Sequence, residues 1–262
     1  MHSTVFKTFV RRLACVAAAV FSLAPAVHAD NHGDHAADTG TVLITGANRG
    51  LGLEFARQYA EAGWTVIGTA RSPERANELN ELDVEVLQLD VIDQQSIDAL
   101  RASLDGRGID LLINNAGIFP RVGKIAEVDV DDYSRTLMVN TLGPVRITQA
   151  LMPQLRAGDQ KKIVNITSQL ASIELNTSGN FYGYRESKAA LNMFTKTLAQ
   201  ELGPEGFICL TLHPGWVRTD MGGDQAPLSP EQSVTGMRAV IDNMTADDNG
   251  VYRGYHGDVV PW

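Results

Sequence analysis

The chain has 262 residues, of which 44% are hydrophobic and 20% are charged, so it is too apolar for a disordered protein and long enough for one large α/β domain or two small ones. Its 22 Lys and Arg residues stand against 31 Asp and Glu residues, which gives a formal net charge of -9. Because nucleic acids and anionic membranes are bound by clustered cations, this balance argues against either as the main partner.

The amino terminus has the three parts of a cleavable signal peptide. Cations precede an apolar run over residues 13–23, which is too short to span a bilayer, and small residues occur at Val27 and Ala29. We expect cleavage after Ala29 (signal peptide 1–29), export to a bacterial periplasm and no membrane span afterwards. Without a functional signal the protein would be cytoplasmic. Arg11 and Arg12 leave both the twin-arginine and the ordinary secretory route open.

Residues 30–40 show no apolar periodicity and are predicted to form a flexible linker. His32, Asp34 and His35 could bind a metal loosely, but a solvated polar tail is the favoured interpretation, and no metal site is predicted. Cys209 lies in an apolar run and remains the one cysteine after cleavage, so an inert buried thiol is expected.

Short β-branched apolar runs alternate with helical patterns along the rest of the chain. The predicted strands are residues 41–44, 64–70, 84–89, 109–113, 162–166 and 207–212. The predicted helices are residues 54–60, 73–81, 93–104, 130–156, 183–202 and 230–244. This alternation predicts one doubly wound α/β domain of the Rossmann type over residues 41–262, with a parallel sheet of about seven strands and helices on both faces.

A glycine-rich turn joins the first strand to the first helix. Gly46 suits a sharp turn, while Gly50 and Gly52 remove Cβ atoms where backbone approaches a pyrophosphate and where helix meets strand. The start of the helix then offers unpaired N–H groups and a partial positive charge to phosphates. The pattern predicts a dinucleotide-binding βαβ unit.

Four motifs follow one another on these elements: Thr45-Gly46-x-x-x-Gly50-x-Gly52, Asn114-Asn115-Ala116-Gly117, Tyr184-x-x-x-Lys188 and Pro214-Gly215. Together they resemble the short-chain dehydrogenase/reductase family, in its compact branch, over about residues 41–262. The segment around Tyr184 and the ending Val260-Pro261-Trp262 are similar to C-factor-like and sniffer-type carbonyl reductases. The resemblance implies a nicotinamide cofactor and a small carbonyl or alcohol substrate. It also implies a homodimer or homotetramer that buries the helices predicted at 130–156 and 183–202.

The residue that follows the second strand indicates which cofactor is bound. NAD enzymes place a carboxylate there, whereas this chain has Arg71, and a second arginine, Arg49, lies inside the glycine turn. Two guanidinium groups without a competing acid favour the 2′-phosphate of NADP(H). The alternative is that both are ordinary surface arginines.

The family resemblance implies a set of cofactor contacts, in which Asp90 touches adenine unless it is a helix cap. The implied contacts are Gly46, Asn48, Arg49, Gly50, Leu51, Gly52, Arg71, Asp90, Val91, Asn114, Ala116, Gly117, Tyr184, Lys188, Pro214, Gly215, Val217 and Thr219.

Carbonyl reduction needs a proton donor beside the carbonyl oxygen. Tyr184 and Lys188 lie one helical turn apart on one face, and a nearby ammonium would lower the pKa of the phenol. Ser168, at the end of the fifth strand, can polarise the substrate oxygen, with Thr167 and Ser172 as alternatives. Asn140 matches the family asparagine that holds a water between the lysine and solvent.

The resulting expectation is an NADPH-dependent reductase of a small lipophilic aldehyde or ketone, with catalytic residues Asn140, Ser168, Tyr184 and Lys188. Apolar residues that follow strand ends should wall the substrate space: Phe119, Leu170, Trp216 and Met221. Two alternatives remain open. One is an NADP-binding signalling or redox-sensing protein with little turnover, and the other is an alcohol dehydrogenase that works in the oxidative direction.

Overall fold

The computed structural model describes residues 39–262. The predicted signal peptide, its cleavage site and residues 30–38 of the predicted linker lie outside the described residues. The described chain folds around one sheet of seven strands, all parallel, in the order β3-β2-β1-β4-β5-β6-β7. The strands are β1 (Thr41–Ile44), β2 (Thr65–Ala70), β3 (Glu85–Gln88), β4 (Leu111–Asn114), β5 (Lys162–Ile166), β6 (Ile208–His213) and β7 (Tyr252–Gly254).

Helices cover both faces of this sheet. They are α1 (Gly50–Glu61), α2 (Asn77–Asn80), α3 (Gln94–Ser103), α4 (Val130–Leu137), α5 (Gly143–Ala150), α6 (Met152–Ala157), α7 (Tyr184–Leu202) and α8 (Pro230–Asp242). Successive residues of β1 point to opposite faces, so Val42 and Ile44 pack with α1 and α8, whereas Leu43 packs with α3, α5 and α7. The predicted doubly wound Rossmann-type fold is confirmed.

Two elements differ from the sequence-based expectation. The helix predicted over 130–156 is three α-helices, with a π-helical turn at Met138–Leu142 between α4 and α5. Pro144 has no N–H, so the carbonyl of Asn140 lacks its regular helical donor, and Pro153 begins α6 in the same way. The three-residue strand β7 was not located from the sequence.

Within residues 39–262, none of the helices is long and apolar enough to cross a membrane. Cys209 is fully buried in β6, and burial raises the pKa of its thiol to about 12. A thiol in this environment stays protonated at neutral pH and is a poor nucleophile, as the sequence predicted.

Candidate active site

The predicted site residues meet at the carboxyl edge of the sheet. Because all seven strands run in parallel, the loops after β1, β4, β5 and β6 emerge on the same side. These loops carry the glycine turn, Ala116 and Gly117, Ser168, and the Pro214-Gly215 pair. Ligands in open α/β sheets bind in this crevice, next to the point where the strand order reverses, which here is between β1 and β4.

The glycine turn has the geometry that the sequence predicted. Gly46 and Gly50 have φ angles of 67° and 56°, in the left-handed region that favours glycine. A Cβ atom at Gly52 would overlap the carbonyl oxygen of Gly46 and lie 2.6 Å from Nδ2 of Asn115. No side chain among the described residues caps the amino end of α1, whose first N–H groups face the turn.

Two residues absent from the predicted contact set hold this turn in place. Thr45 Oγ1 accepts hydrogen bonds from the main-chain N–H groups of Asn115 and Ala116, both at 3.0 Å. Asn115 Nδ2 donates to the carbonyls of Thr45 at 2.9 Å and Gly46 at 3.1 Å. The loops after β1 and β4 are therefore fastened together. Both residues belong to the motifs that carry the family resemblance, and that position was the signal available in the sequence.

Two predicted cofactor residues turn their side chains away from the crevice. Asn114 is buried, and its Nδ2 donates to Asn165 Oδ1 at 2.8 Å inside the core. Val91 is buried against Gly143, whose Cβ would lie 3.0 Å from Val91 Cγ2. The core already uses Nδ2 of Asn114 and the side chain of Val91, whereas Oδ1 of Asn114 is buried without a partner among the described residues.

The two arginines differ in their surroundings. Arg49 forms an ion pair of 2.7 Å with Asp220 from the loop after β6, and the two side chains are 70% and 78% exposed. Arg71 is exposed and has no hydrogen bond or ion pair within the described part of the chain. Asn48 is exposed beside Arg49. The absence of an acid next to Arg71 was visible in the sequence, but the Asp220 partner of Arg49 was not.

Asp90 follows β3, at the edge of the crevice. Its Oδ1 accepts the main-chain N–H of Ile92 at 3.1 Å, while Asp93 caps α3 by accepting from Gln95 at 3.0 Å. The alternative that Asp90 is the helix cap is therefore wrong, since Asp93 occupies that position.

The loop after β6 folds back onto the glycine turn. Gly215 has a φ of 82°, and a Cβ there would lie 2.5 Å from Leu228 Cδ1. Val217 is buried and pairs with Leu228. Thr219 faces the glycine turn, because a Cβ at Gly50 would lie 3.5 Å from Thr219 Cγ2. The crevice thus has the β1 loop on one side and the β6 loop on the other.

Tyr184 begins α7 and meets Ser168 at the end of β5. The Ser168 hydroxyl lies near enough to lower the pKa of Tyr184, but burial outweighs this influence and raises that pKa to about 12. The other candidate hydroxyls are engaged elsewhere: Thr167 donates to Asn192 Oδ1 at 2.8 Å, and Ser172 donates to the main-chain oxygen of Trp262 at 3.2 Å. Of the three, Ser168 is the hydroxyl that contacts Tyr184.

Lys188 lies one turn further along α7 and is buried. Its Nζ donates to the carbonyl of Ile166 at 2.8 Å, and it has no carboxylate partner among the residues that the structure describes. Burial without a counter-charge lowers the pKa of Lys188 to about 8. The expected lowering of the Tyr184 pKa by Lys188 is not found in the folded chain, because desolvation dominates at both groups.

Asn140 sits in the π-helical turn and is fully buried. Its Oδ1 accepts the N–H of Ile118 at 2.8 Å, and its Nδ2 donates to the carbonyl of Ile118 at 2.9 Å. A Cβ at Gly117 would lie 3.3 Å from Asn140 Oδ1 and 3.6 Å from Lys188 Nζ. Asn140, Lys188 and the loop after β4 therefore converge on one point, and π-helical turns are frequent at functional sites.

Aromatic side chains border Tyr184. The ring of Phe119 lies 4.4 Å from that of Tyr184, and the ring of Phe181 lies 5.2 Å from that of Phe119. Trp216 and Met221, from the loop after β6, are 57% and 37% exposed. The fourth predicted wall residue, Leu170, is partly buried in the turn after Ser168. Phe181 was missed because it lies in a long irregular segment without periodicity.

The fold and this site define an oxidoreductase of a known class. The short chain dehydrogenase family model matches residues 40–228, and the chain belongs to that family. It is 46% identical over 154 residues to the C-signal protein of Myxococcus xanthus, an alignment that covers 59% of this chain and 93% of the relative.

Two solved structures are similar to this one over 86% of the chain. Carbonyl reductase Sniffer of D. melanogaster is 35% identical with a TM-score of 0.82, and all of that chain is covered. An NADPH-bound carbonyl reductase from chicken fatty liver is 36% identical with a TM-score of 0.80, and 99% of that chain is covered. The predicted similarity to C-factor-like and sniffer-type members of the family is thereby confirmed.

Proposed function

We propose that this protein is an NADPH-dependent carbonyl reductase that acts on small lipophilic aldehydes or ketones. The observation that carries the proposal is the position of Ser168 beside the buried Tyr184 at the crevice, with the buried Lys188 one helical turn further along α7. The aromatic wall of Phe119 and Phe181 favours an apolar substrate. The similarity to an NADPH-bound carbonyl reductase supports the same cofactor and reaction.

The crevice fits a dinucleotide. A Cβ at Gly52 would overlap the turn, no described side chain caps α1, and Arg71 has no partner among the described residues, so the turn offers N–H groups and a free cation to phosphates. We assign the adenosine end to Arg49, Arg71 and Asp90. The remaining contacts that we propose are Gly46, Asn48, Gly50, Leu51, Gly52, Val91, Asn114, Ala116, Gly117, Tyr184, Lys188, Pro214, Gly215, Val217 and Thr219.

When bound, NADPH supplies the hydride. The chain supplies the proton and the polarisation: the hydroxyls of Ser168 and Tyr184 donate hydrogen bonds to the carbonyl oxygen, and Tyr184 then gives up its proton. A phenol with a pKa of about 12 stays protonated at neutral pH, which suits the reductive direction. Lys188, with a pKa of about 8, can exchange protons near neutral pH and restore the phenol. Asn140, whose carbonyl lacks its helical donor, is assigned to hold the water that links Lys188 to solvent.

The first test is NADPH oxidation by the mature protein, followed at 340 nm with a panel of aldehydes, ketones and quinones. We expect turnover with lipophilic carbonyls and a loss of about 10²- to 10⁴-fold in Tyr184→Phe, because the proton donor is gone. Tyr182→Phe, two residues away in sequence, is the matched control and should keep its activity. Near-normal turnover by Tyr184→Phe with bound NADPH would overturn the assignment.

The preference for NADPH over NADH tests Arg71 separately. We expect a lower KM for NADPH in the parent protein and a reversed preference in Arg71→Asp, because a carboxylate there binds a ribose 2′-hydroxyl and repels a 2′-phosphate. Arg75→Asp changes the same charge at an exposed position four residues further along the chain and should leave the preference unaltered. Equal KM values for the two cofactors in the parent would contradict the NADP assignment.

A signalling or redox-sensing protein that binds NADP is the second candidate, and the C-signal relative favours it. Such a protein needs the glycine turn and the arginines but not Tyr184. Tight NADPH binding by both parent and Tyr184→Phe, with no turnover in either, would support it. An alcohol dehydrogenase working in the oxidative direction uses the same residues, and it would reduce NADP⁺ with alcohols faster than it oxidises NADPH.

Export and self-association complete the proposal. If cleavage occurs after Ala29, the intact mass of the mature protein will lack residues 1–29. A mature protein that still begins at Met1 would contradict the cleavage prediction. Loading of NADP(H) before export through the twin-arginine route would supply the cofactor outside the cytoplasm. Leu142 and Met193, on the helices that the family resemblance places between subunits, are 41% and 67% exposed, which supports a homodimer or homotetramer.

A further inference from the structure

One side chain from each of the last two strands, β6 and β7, forms a hydrogen bond with the turn that begins at Ser168. Tyr252, in β7, donates its hydroxyl proton to the carbonyl oxygen of Ser168 at 2.5 Å. His213, at the end of β6, accepts the N–H of Gln169 on its Nδ1 at 3.0 Å. The turn at Gln169–Ala171 is a single 3₁₀ turn. Its own bonds run from the N–H of Leu170 to Ser168 Oγ at 3.2 Å and from the N–H of Ala171 to the Ser168 carbonyl at 2.8 Å, and Arg185 donates to the Leu170 carbonyl at 3.2 Å. The contacts from β6 and β7 are added to these bonds.

His213 also joins two loops of the crevice. The same Nδ1 accepts the N–H of Gly215 at 3.3 Å, so one imidazole contacts both the Ser168 turn and the Pro214-Gly215 turn. A ring nitrogen that accepts two N–H groups carries no proton, which places the proton of the neutral ring on Nε2. Burial lowers the pKa of His213 to about 4, so the acceptor is present at neutral pH.

Tyr252 is buried, and its ring lies 5.5 Å from that of Trp262. Burial and the neighbouring Tyr184 phenol both raise the pKa of Tyr252, so its hydroxyl remains a donor. The Ser168 carbonyl also accepts the N–H of Ala171 at 2.8 Å. With both bonds made, the main chain of Ser168 is held from two directions, while its Oγ accepts the N–H of Leu170 at 3.2 Å and lies beside Tyr184.

We propose that Tyr252 and His213 are positioning residues that set the Ser168 hydroxyl opposite Tyr184. Neither is assigned a contact with the reacting atoms, and both act through the main chain of Ser168 and Gln169. This inference rests on the proposed carbonyl reduction for its kinetic consequences, whereas its structural consequences can be measured without turnover.

The first variant is Tyr252→Phe, which removes one hydroxyl and keeps the buried ring. We expect kcat to fall by about 10- to 100-fold with little change in NADPH affinity, because a small displacement of a catalytic group has an effect of this size. Tyr59→Phe is the matched control, since Tyr59 is also a buried tyrosine with a hydrogen-bonded hydroxyl, but it lies on α1 at the opposite face of the sheet. It should leave kcat unchanged.

A double-variant cycle separates positioning from a general structural role. If Tyr252 acts through Ser168, Tyr252→Phe should cause no further loss of kcat in a Ser168→Ala background. Losses that multiply, as for independent sites, would overturn the proposal.

Two substitutions of His213 test the acceptor itself. His213→Asn keeps an acceptor near the position of Nδ1 and should retain kcat within about threefold of the parent, whereas His213→Leu should lose at least about tenfold. Equal losses in the two variants would contradict the role of Nδ1.

Amide hydrogen exchange at Gln169 and Leu170, followed by NMR, decides the structural claim independently. Faster exchange at these two amides in Tyr252→Phe and His213→Leu, but not in Tyr59→Phe, supports the positioning role even if the parent turns over no carbonyl compound. In that case the proposed function fails and the positioning survives. Unchanged exchange in both variants would overturn the positioning, whatever the activity.

Discussion

The two sides of the crevice are built by different means. On the cofactor side, main-chain groups and small residues shape the surface, which is held by the hydrogen bonds of Thr45 and Asn115 and by the close approach of Gly52 to Gly46. On the substrate side, buried polar side chains from β5 and α7 define the chemistry, with β6 and β7 holding them. Cofactor binding therefore depends on the shape of the first side and should be lost when an atom is added there. Turnover depends on the polar groups of the second side and should change when one of those groups is removed or when the pH changes.

The largest effect should come from adding one atom to the cofactor side. Gly52→Ala places a Cβ against the Gly46 carbonyl and 2.6 Å from Asn115 Nδ2, neither of which can move without opening the turn. We expect a loss of about 3 kcal/mol in the free energy of unfolding, measured in urea, and the loss of NADPH binding. Gly123→Ala is the control, because its nearest neighbour is the end of the Glu127 side chain at 3.7 Å. Wild-type stability in Gly52→Ala would refute the shape argument.

On the substrate side, Lys188→Met should abolish turnover and change the pH dependence of stability. The folded pKa of about 8 lies below the unfolded value of 10.5, so between these pH values the unfolded chain binds the extra proton and the parent becomes more stable as pH rises. Across the whole interval, the free energy of unfolding of the parent should rise by about 3 kcal/mol. The parent should therefore gain stability in urea unfolding from pH 8 to pH 10, and Lys188→Met should not.

Lys196→Met provides the control for that experiment. Lys196 lies on the same helix and donates to the carbonyl of Gly250 at 3.1 Å, but it is exposed. Its replacement should leave the rise in stability above pH 8 intact. If Lys196→Met and Lys188→Met behave alike, the burial of Lys188 is not the cause.

A smaller effect is expected in acid. The folded pKa of His213, about 4, lies below the unfolded value of 6.5, so the unfolded chain takes up a proton first and stability falls as pH drops from 6.5 towards 4. We expect the free energy of unfolding to fall by about 2 kcal/mol, because this group is only partly buried. His213→Asn should lose less stability than the parent between pH 7 and pH 4.5, while the exposed His256→Asn should follow the parent.

The smallest effect concerns the ion pair that spans the cofactor side. Asp220→Asn should change stability by less than about 1 kcal/mol, because both side chains are exposed. Releasing Arg49 should tighten NADPH binding by up to about fivefold, measured by fluorescence titration. Glu205→Gln breaks the comparable exposed pair with Arg156 and should not alter NADPH binding. Weaker binding in Asp220→Asn would indicate that the pair orders the crevice instead of competing for Arg49.

Much of the fold could be read from local patterns. Six of the seven strands lie within two residues of their predicted bounds, since each is an apolar run between helical patterns. The strand β7 was not predicted, because a strand of three residues is too short to show an alternating pattern. The π-helical turn at Met138–Leu142, which interrupts the predicted helix, was not predicted because the apolar spacing continues across it. Pro144 was the available signal.

For the candidate site, the sequence predicted residue types better than their surroundings. It placed Asn114 in a cofactor motif, but the structure turns that side chain to Asn165 inside the core. It paired Tyr184 with Lys188 through helical spacing, and burial then raised one pKa and lowered the other. Desolvation depends on all the elements that pack around a group, so spacing along one helix could not reveal it.

The sequence by itself determined the alternation of strands and helices, the glycine turn and the spacing of Tyr184 and Lys188, because these follow from backbone sterics and helical periodicity within a few residues. Only the tertiary structure decided which of three hydroxyls meets Tyr184, that Arg49 pairs with Asp220, and that Tyr252 and His213 hold the Ser168 turn. Those contacts join residues 16 to 171 positions apart. Contacts over such separations form only when sheet packing has brought distant loops to one edge.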